Sequence, residues 1–129
     1  MRRVGLSIAP GSLGASPGAA SNDLELDSTG NLRLVFDAEA VGQHARQRLQ
    51  FFRGEWFLDP TVGVDWFGET LGQREAAVPI VEATVKRVIL ATPGVTSLLE
   101  IRTTFDHRNR GAKVERCSVQ TEYGDTAAV

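Results

Sequence analysis

Residues 41–63 read VGQHARQRLQFFRGEWFLDPTVG, and the pattern changes character halfway along. Val41, Ala45, Leu49 and Phe52 recur at intervals of three or four, which marks one face of a helix. Asp37 is expected to cap the start of that helix, with Glu39 in its first turn, and Gly54 to end it. From Gly54 to Phe67 the periodicity stops. This stretch holds both tryptophans, Trp56 and Trp66, among acids, Asp59-Pro60 and Gly63. Such punctuation predicts an ordered loop or short strand pinned to a core. Arg48 falls inside the apolar stripe, beside Val41 and Phe52. It either meets a carboxylate, with Glu55 and Asp59 nearest in the chain, or runs its aliphatic stem out to water.

On the N-terminal side, Leu24 and Leu26 alternate with Asp23, Glu25 and Asp27, and Leu32, Leu34 and Phe36 alternate with Arg33 and Val35. Ser28-Thr29-Gly30-Asn31 separates the two runs. The pattern predicts a β-hairpin with one apolar face. The three acids lack the loop glycine and later glutamate of a calcium-binding EF-hand, so they read as a solvated strand face. Residues 1–22 are mostly Gly, Ser, Ala and Pro. They are expected to form an N-terminal arm, mobile in the free subunit, that is either a loose end or orders against a neighbour.

On the C-terminal side, a second helix is expected from Val78, with Pro79 suited to its first turn. Val81, Val85, Val88, Ile89 and Thr92 share a face, and Glu82 and Lys86 form an i,i+4 pair. Thr92-Pro93-Gly94 ends it. A strand runs from Val95 to Phe105 with Leu99, Ile101 and Phe105 in phase. His107 to Gly111 makes a turn, and Lys113 to Tyr123 returns with Cys117, Val119 and Tyr123 in phase. The expected order is β-β-α-loop-α-β-β, an α+β domain over residues 23–125 with an antiparallel sheet against two helices. Residues 126–129 are expected to be a disordered tail. Leu49, Phe52, Trp56, Val85 and Ile89 are expected in one core.

Composition narrows the function. The chain has 129 residues, the size of one domain. Its 14 basic and 16 acidic residues give a net charge of −2, which argues against a nucleic-acid partner or a polybasic membrane surface. No apolar run approaches the roughly 20 residues of a membrane span. Met1-Arg2-Arg3 resembles the basic end of a signal peptide, but Gly5, Pro10, Gly11 and Gly14 interrupt the apolar residues after it, so the chain reads as cytosolic when made. Cys117 is the lone cysteine, so no internal disulfide can form.

Motifs for chemistry are sparse. His44 and His107 show no metal spacing with Cys117 or an acid, and no cofactor or metal is expected. Cys117 reads as a small buried strand residue. The remaining catalytic reading is a peptidoglycan hydrolase using Glu55 with Asp59 or Asp65, two carboxylates beside tryptophans. Their spacing is not diagnostic, and the expectation is that the chain is not an enzyme.

The stretch from Val41 to Gly63 resembles the signature region of the small baseplate wedge family of contractile tails, found in Mu-like and T4-like phages and related to type VI secretion baseplate proteins. The resemblance rests on Arg48 in an Arg-Leu-rich helix end, then Gly54, Glu55, Trp56, Phe57, Asp59, Pro60 and Gly63. It continues through residues 85–95, with Pro93 and Gly94, and the ending Gln120 to Asp125. Many members carry Glu-Pro-Arg after the second helix. Here the matching stretch is Thr92-Pro93-Gly94, without either charge, so the charged role of that motif is not implied. The resemblance implies a structural subunit of the virion tail baseplate, assembled in the bacterial cytoplasm and present in several copies. It would join the wedge core to the first sheath ring and help initiate the sheath by strand pairing. The implied partners are other wedge subunits, the sheath protein and hub or tube proteins.

Overall fold

The computed structural model describes residues 2–9, 23–66, 68, 78–106, 108 and 111–129. In chain order the elements are β1 (Val4–Leu6), β2 (Leu34–Phe36), α1 (Asp37–Gln50), α2 (Val78–Leu90), β3 (Val95–Asp106), β4 (Gly111–Thr121) and β5 (Thr126–Ala128). The class is the expected α+β, but the strands divide into two antiparallel sheets, β1-β2 and β3-β4-β5. Helix α1 touches both sheets, while α2 packs on β3 and α1.

The core lies between α2 and the second sheet. Val85, Ile89, Cys117, Val119 and Ala127 form its centre, and Leu49, Trp66, Leu98 and Ile101 pack around it. The α2 face is the one the periodicity marks, because burying each Val or Ile side chain contributes about 1.5–3 kcal/mol. Strand β3 departs from simple alternation. Its register against β4 shifts between Leu98 and Glu100, and a bulge of this kind changes which side chains face inward. Leu98 and Ile101 therefore reach the core, and Leu99, expected inside, is exposed.

The tail expected at residues 126–129 is instead strand β5, paired with β4 through Val119↔Ala127. Small side chains make this possible. Ala127 is buried, and α1 closes on β5 at Gly42, where a Cβ would lie 2.5 Å from the Ala128 carbonyl oxygen.

The first sheet corrects the reading of the N-terminus. Val4, Leu6 and Ile8 alternate, and β1 pairs with β2 through Val4↔Phe36 and Leu6↔Leu34. Residues 7–9 then pair with the residues before the Asp27 turn, with Ile8 bridging Leu24. The small-residue average over residues 1–22 hides this short alternation. Residues 10–22 of the expected arm lie outside the described residues. The Gln43 amide anchors β1 to α1: its Oε1 accepts from the Ile8 N–H at 2.9 Å, and its Nε2 donates to the Leu6 carbonyl at 2.7 Å.

Asp37 is not an N-cap. Phe36 holds that position without a side-chain bond, and Asp37 opens the helix at φ +46, a region Asp tolerates better than most residues. Its N–H donates to the Arg3 carbonyl at 2.9 Å, and its carboxylate accepts from the Arg3 N–H at 3.3 Å. The helix ends at Gln50, four residues before Gly54, with Phe51 extended. Phe52 therefore leaves the helical face and is exposed.

Candidate assembly interface

The 51–64 loop is closed at its base by its own backbone. The Val64 N–H donates to the Phe51 carbonyl at 2.8 Å, and the Arg53 N–H donates to the Val64 carbonyl at 3.0 Å. Gly63 makes the closure possible. It sits at φ +109, and a Cβ there would come within 2.6 Å of the Phe52 backbone, closer than any side chain tolerates. Gly54 takes a second positive φ in the turn next to the base. The Glu55 carboxylate accepts from the Phe52 N–H at 3.1 Å. Asp59 accepts from the Thr61 N–H at 3.0 Å and its hydroxyl at 2.6 Å, an Asx turn. The Thr61 hydroxyl and N–H hold the Asp59 carboxyl below its ordinary range. Asp65 accepts from the Gly68 N–H at 2.8 Å. Each acid of the hydrolase reading thus has a local backbone bond.

What the loop presents outward is apolar. Phe57 is 87% exposed and Leu58 68%, the two central residues of the turn that the Asp59 N–H closes on the Trp56 carbonyl, and Pro60 is itself exposed. Trp56, expected in the core, is 41% exposed and meets Phe51 edge-on at 6.5 Å between ring centroids. The packing role falls to Trp66, half-buried against the core, whose indole N–H donates to the Leu49 carbonyl at 2.9 Å. Aromatic content alone does not separate the two, although Trp66 comes after an alternating Val62, Val64 run that leads into the core.

Arg48 does not meet a loop carboxylate. Its Nη1 donates to the Ala91 carbonyl at 2.6 Å and to the Thr92 hydroxyl at 3.2 Å, where a cation is favoured by the carbonyl end of α2. Thr92 is buried and donates back to the Val88 carbonyl at 2.9 Å. Pro93 is exposed, and Gly94, at φ +95 against Val41, turns the chain into β3 while its carbonyl accepts from the Glu122 N–H at 2.9 Å. Arg48, Pro93 and Gly94 therefore form a joint between α1, α2 and β3, with the loop on the other side of Arg48.

Two further surfaces are exposed, the first of them the apolar face that the alternating pattern marks. The alternating leucines of the first sheet face outward: Val4, Leu6, Leu24, Leu26, Leu32, Leu34 and Phe36 are all exposed, by 40% at Phe36 to 65% at Leu26. The inward positions are Val35 and Ser7, both buried. The second surface is the outer edge of β5. Val129 N–H bonds to the Cys117 carbonyl, and Thr121 N–H to the Asp125 carbonyl. Antiparallel alternation then turns the N–H and C=O groups of Thr126 and Ala128 away from β4. That edge borders a cleft of about 900 Å³ between β5, α1 and the first sheet, lined also by Glu25, Arg33, Gln43 and Arg46. The Arg46 Nε is buried without a hydrogen-bond partner among the described residues, although its Nη2 donates to the Ile8 carbonyl.

Asp23, Glu25 and Asp27 do not converge. Asp27 accepts from Thr29 and Asn31, and Glu25 pairs with Arg33 at 3.2 Å. Among the described residues no three His, Cys, Asp or Glu side chains come together as a metal site. Burial pushes the Cys117 thiol up, opposite to a reactive nucleophile, and His107 lies outside the described residues. Among the described residues no helix is long and apolar enough to cross a membrane.

No curated protein matches the chain. Residues 18–124 match the family model described as contractile injection system sheath initiator. That span takes in β2, α1, the 51–64 loop, α2 and the β3-β4 hairpin, and leaves β1 and β5 outside it. The chain therefore belongs to the contractile injection system sheath initiator family, with a structural role in starting a sheath.

Proposed function

We propose that this chain sits in the baseplate of a contractile tail, joins the wedge core to the first ring of sheath, and starts the sheath by accepting a sheath strand along β5. The observation that carries this reading is the cleft at β5. The outward N–H and C=O of Thr126 open into this slot, while α1 covers the Ala128 carbonyl at Gly42. An added strand would satisfy them by main-chain pairing, with side chains setting register. A connector also needs a second surface. The outer face of the first sheet and the Phe57-Leu58 tip supply it, because clustered exposed apolar side chains mark protein contacts. Wedge subunits are the partners that fit this face, with hub or tube proteins beyond them. The role is assembly without turnover, as the sheath-initiator family match supports.

Thr126→Pro tests the edge. Proline removes an outward N–H but is tolerated at the first residue of a strand. The melting temperature should stay within about 3 °C of wild type, while sheathed particles counted by electron microscopy should fall at least about tenfold. Normal particle yield from a folded Thr126→Pro protein overturns the strand-addition reading.

A further inference from the structure

The concave surface between α1 and the 51–64 loop is a candidate site that the strand-pairing role does not use. It is a cleft of about 370 Å³ lined by Phe51, Trp56, Val62 and Val88, with His44 and Arg48 on the helix side. Its floor is apolar and its helix wall carries one cation, Arg48, since burial and the Arg48 charge hold the His44 imidazole below its ordinary range. Arg48 spends only Nη1 on Ala91 and Thr92, and it has no carboxylate partner among the described residues. A second cleft continues past Arg48, lined by Arg53 and Arg87 with Asp65 as its one acid. The neighbouring Glu55 and Asp59 carboxylates accept from loop N–H groups, outside this lining.

We propose that this cleft binds an acidic peptide segment of a partner chain that carries one bulky apolar side chain beside a carboxylate. The apolar side chain enters between Trp56, Phe51 and Val62. The carboxylate takes the free edge of the Arg48 guanidinium, whose planar fork suits bidentate contact. Trp56 stays half exposed in the free chain because its second face belongs to that ligand. Amphipathic aromatics and arginine are the groups that dominate peptide-binding hot spots.

The test is an NMR titration of the full chain with N-acetyl-Asp-Leu-Phe-Asp-amide and with its Asn-Leu-Phe-Asn counterpart. The acidic peptide should shift the amides of His44, Arg48, Phe51 and Val62 and the indole N–H of Trp56. It should bind at least about fivefold more tightly than the amide peptide. Arg48→Met should abolish that preference. Because Arg48 also ties α1 to α2, Val62→Glu provides a second variant at an exposed position, placing a carboxylate in the cleft, and it should weaken the acidic peptide by the same factor. Equal affinity for the two peptides, shifts on another surface, or no binding by either overturns the proposal. So does an unchanged preference in folded Val62→Glu protein.

Discussion

The two sheets of this molecule are built from the same kind of sequence and face opposite ways. In the second sheet, alternating apolar residues of β4 point into the core, with Cys117 and Val119 buried in turn. In the first, the alternating leucines point to solvent, and the residues between them, Val35 and Ser7, are the buried ones. The difference lies in what each sheet packs against. Helix α2 offers Val85 and Ile89 to the second sheet. Helix α1 offers the first sheet Gln43 and Arg46, which bond the backbone at Leu6 and Ile8 instead of covering apolar side chains. A period-two pattern identifies a strand, and only the partner decides which face is the inside.

The largest effect should come from the second sheet. Ile89 is fully buried in the central cluster, so Ile89→Ala should cost about 2–5 kcal/mol in urea unfolding. A loss below about 1 kcal/mol would erase the contrast between the sheets. Gln43→Ala is the matching change for the first sheet. It removes the partner of the part-buried Ile8 N–H and of the exposed Leu6 carbonyl, which water replaces in part, so the cost should be about 0.5–1.5 kcal/mol. The amide of Ile8 should then exchange with deuterium faster while that of Val119 is much less affected. Equal acceleration at both positions would mean that the first sheet is not separately anchored. The smallest effect belongs to the outer face. Leu26→Ser and Leu34→Ser should each change the stability of the isolated chain by no more than about 0.5 kcal/mol, yet lower the yield of sheathed particles. A large loss of stability in either would show that these leucines are covered within the chain itself.

Much of the architecture is legible in the sequence. The helical stripes of Val41, Ala45 and of Val85, Ile89 are long enough to stand out, and the β3-β4 hairpin emerges from two long alternating runs around a polar turn. The N-terminal strand is harder to see, because three apolar residues sit at the head of a stretch dominated by Gly, Ala and Ser. The C-terminal strand is harder still. Thr126-Ala127-Ala128 has no strong propensity of its own, and it forms because Gly42 lets α1 come close. Aromatic residues mislead for a related reason. Trp56 and Phe57 look like core material by type, but a loop sealed at its base by Gly63 has no room to fold them inward. Arg48 needs an oxygen partner, as its position in the stripe implies. The partner is the end of α2, which is remote in sequence and so invisible from the neighbourhood of Glu55.

Strand β2 ends at Phe36 and helix α1 begins at Asp37, with no linker residue between them. Most junctions of this kind include a turn of a few residues, which can stretch before tension passes on. Here there is no slack. A pull on the first sheet would travel through Asp37, itself clamped to the Arg3 backbone, straight into the axis of α1. From there it would pass through the Gly42 contact to β5. In a machine that works by contraction, such a stiff load path would bring force on the apolar face to the strand edge without delay.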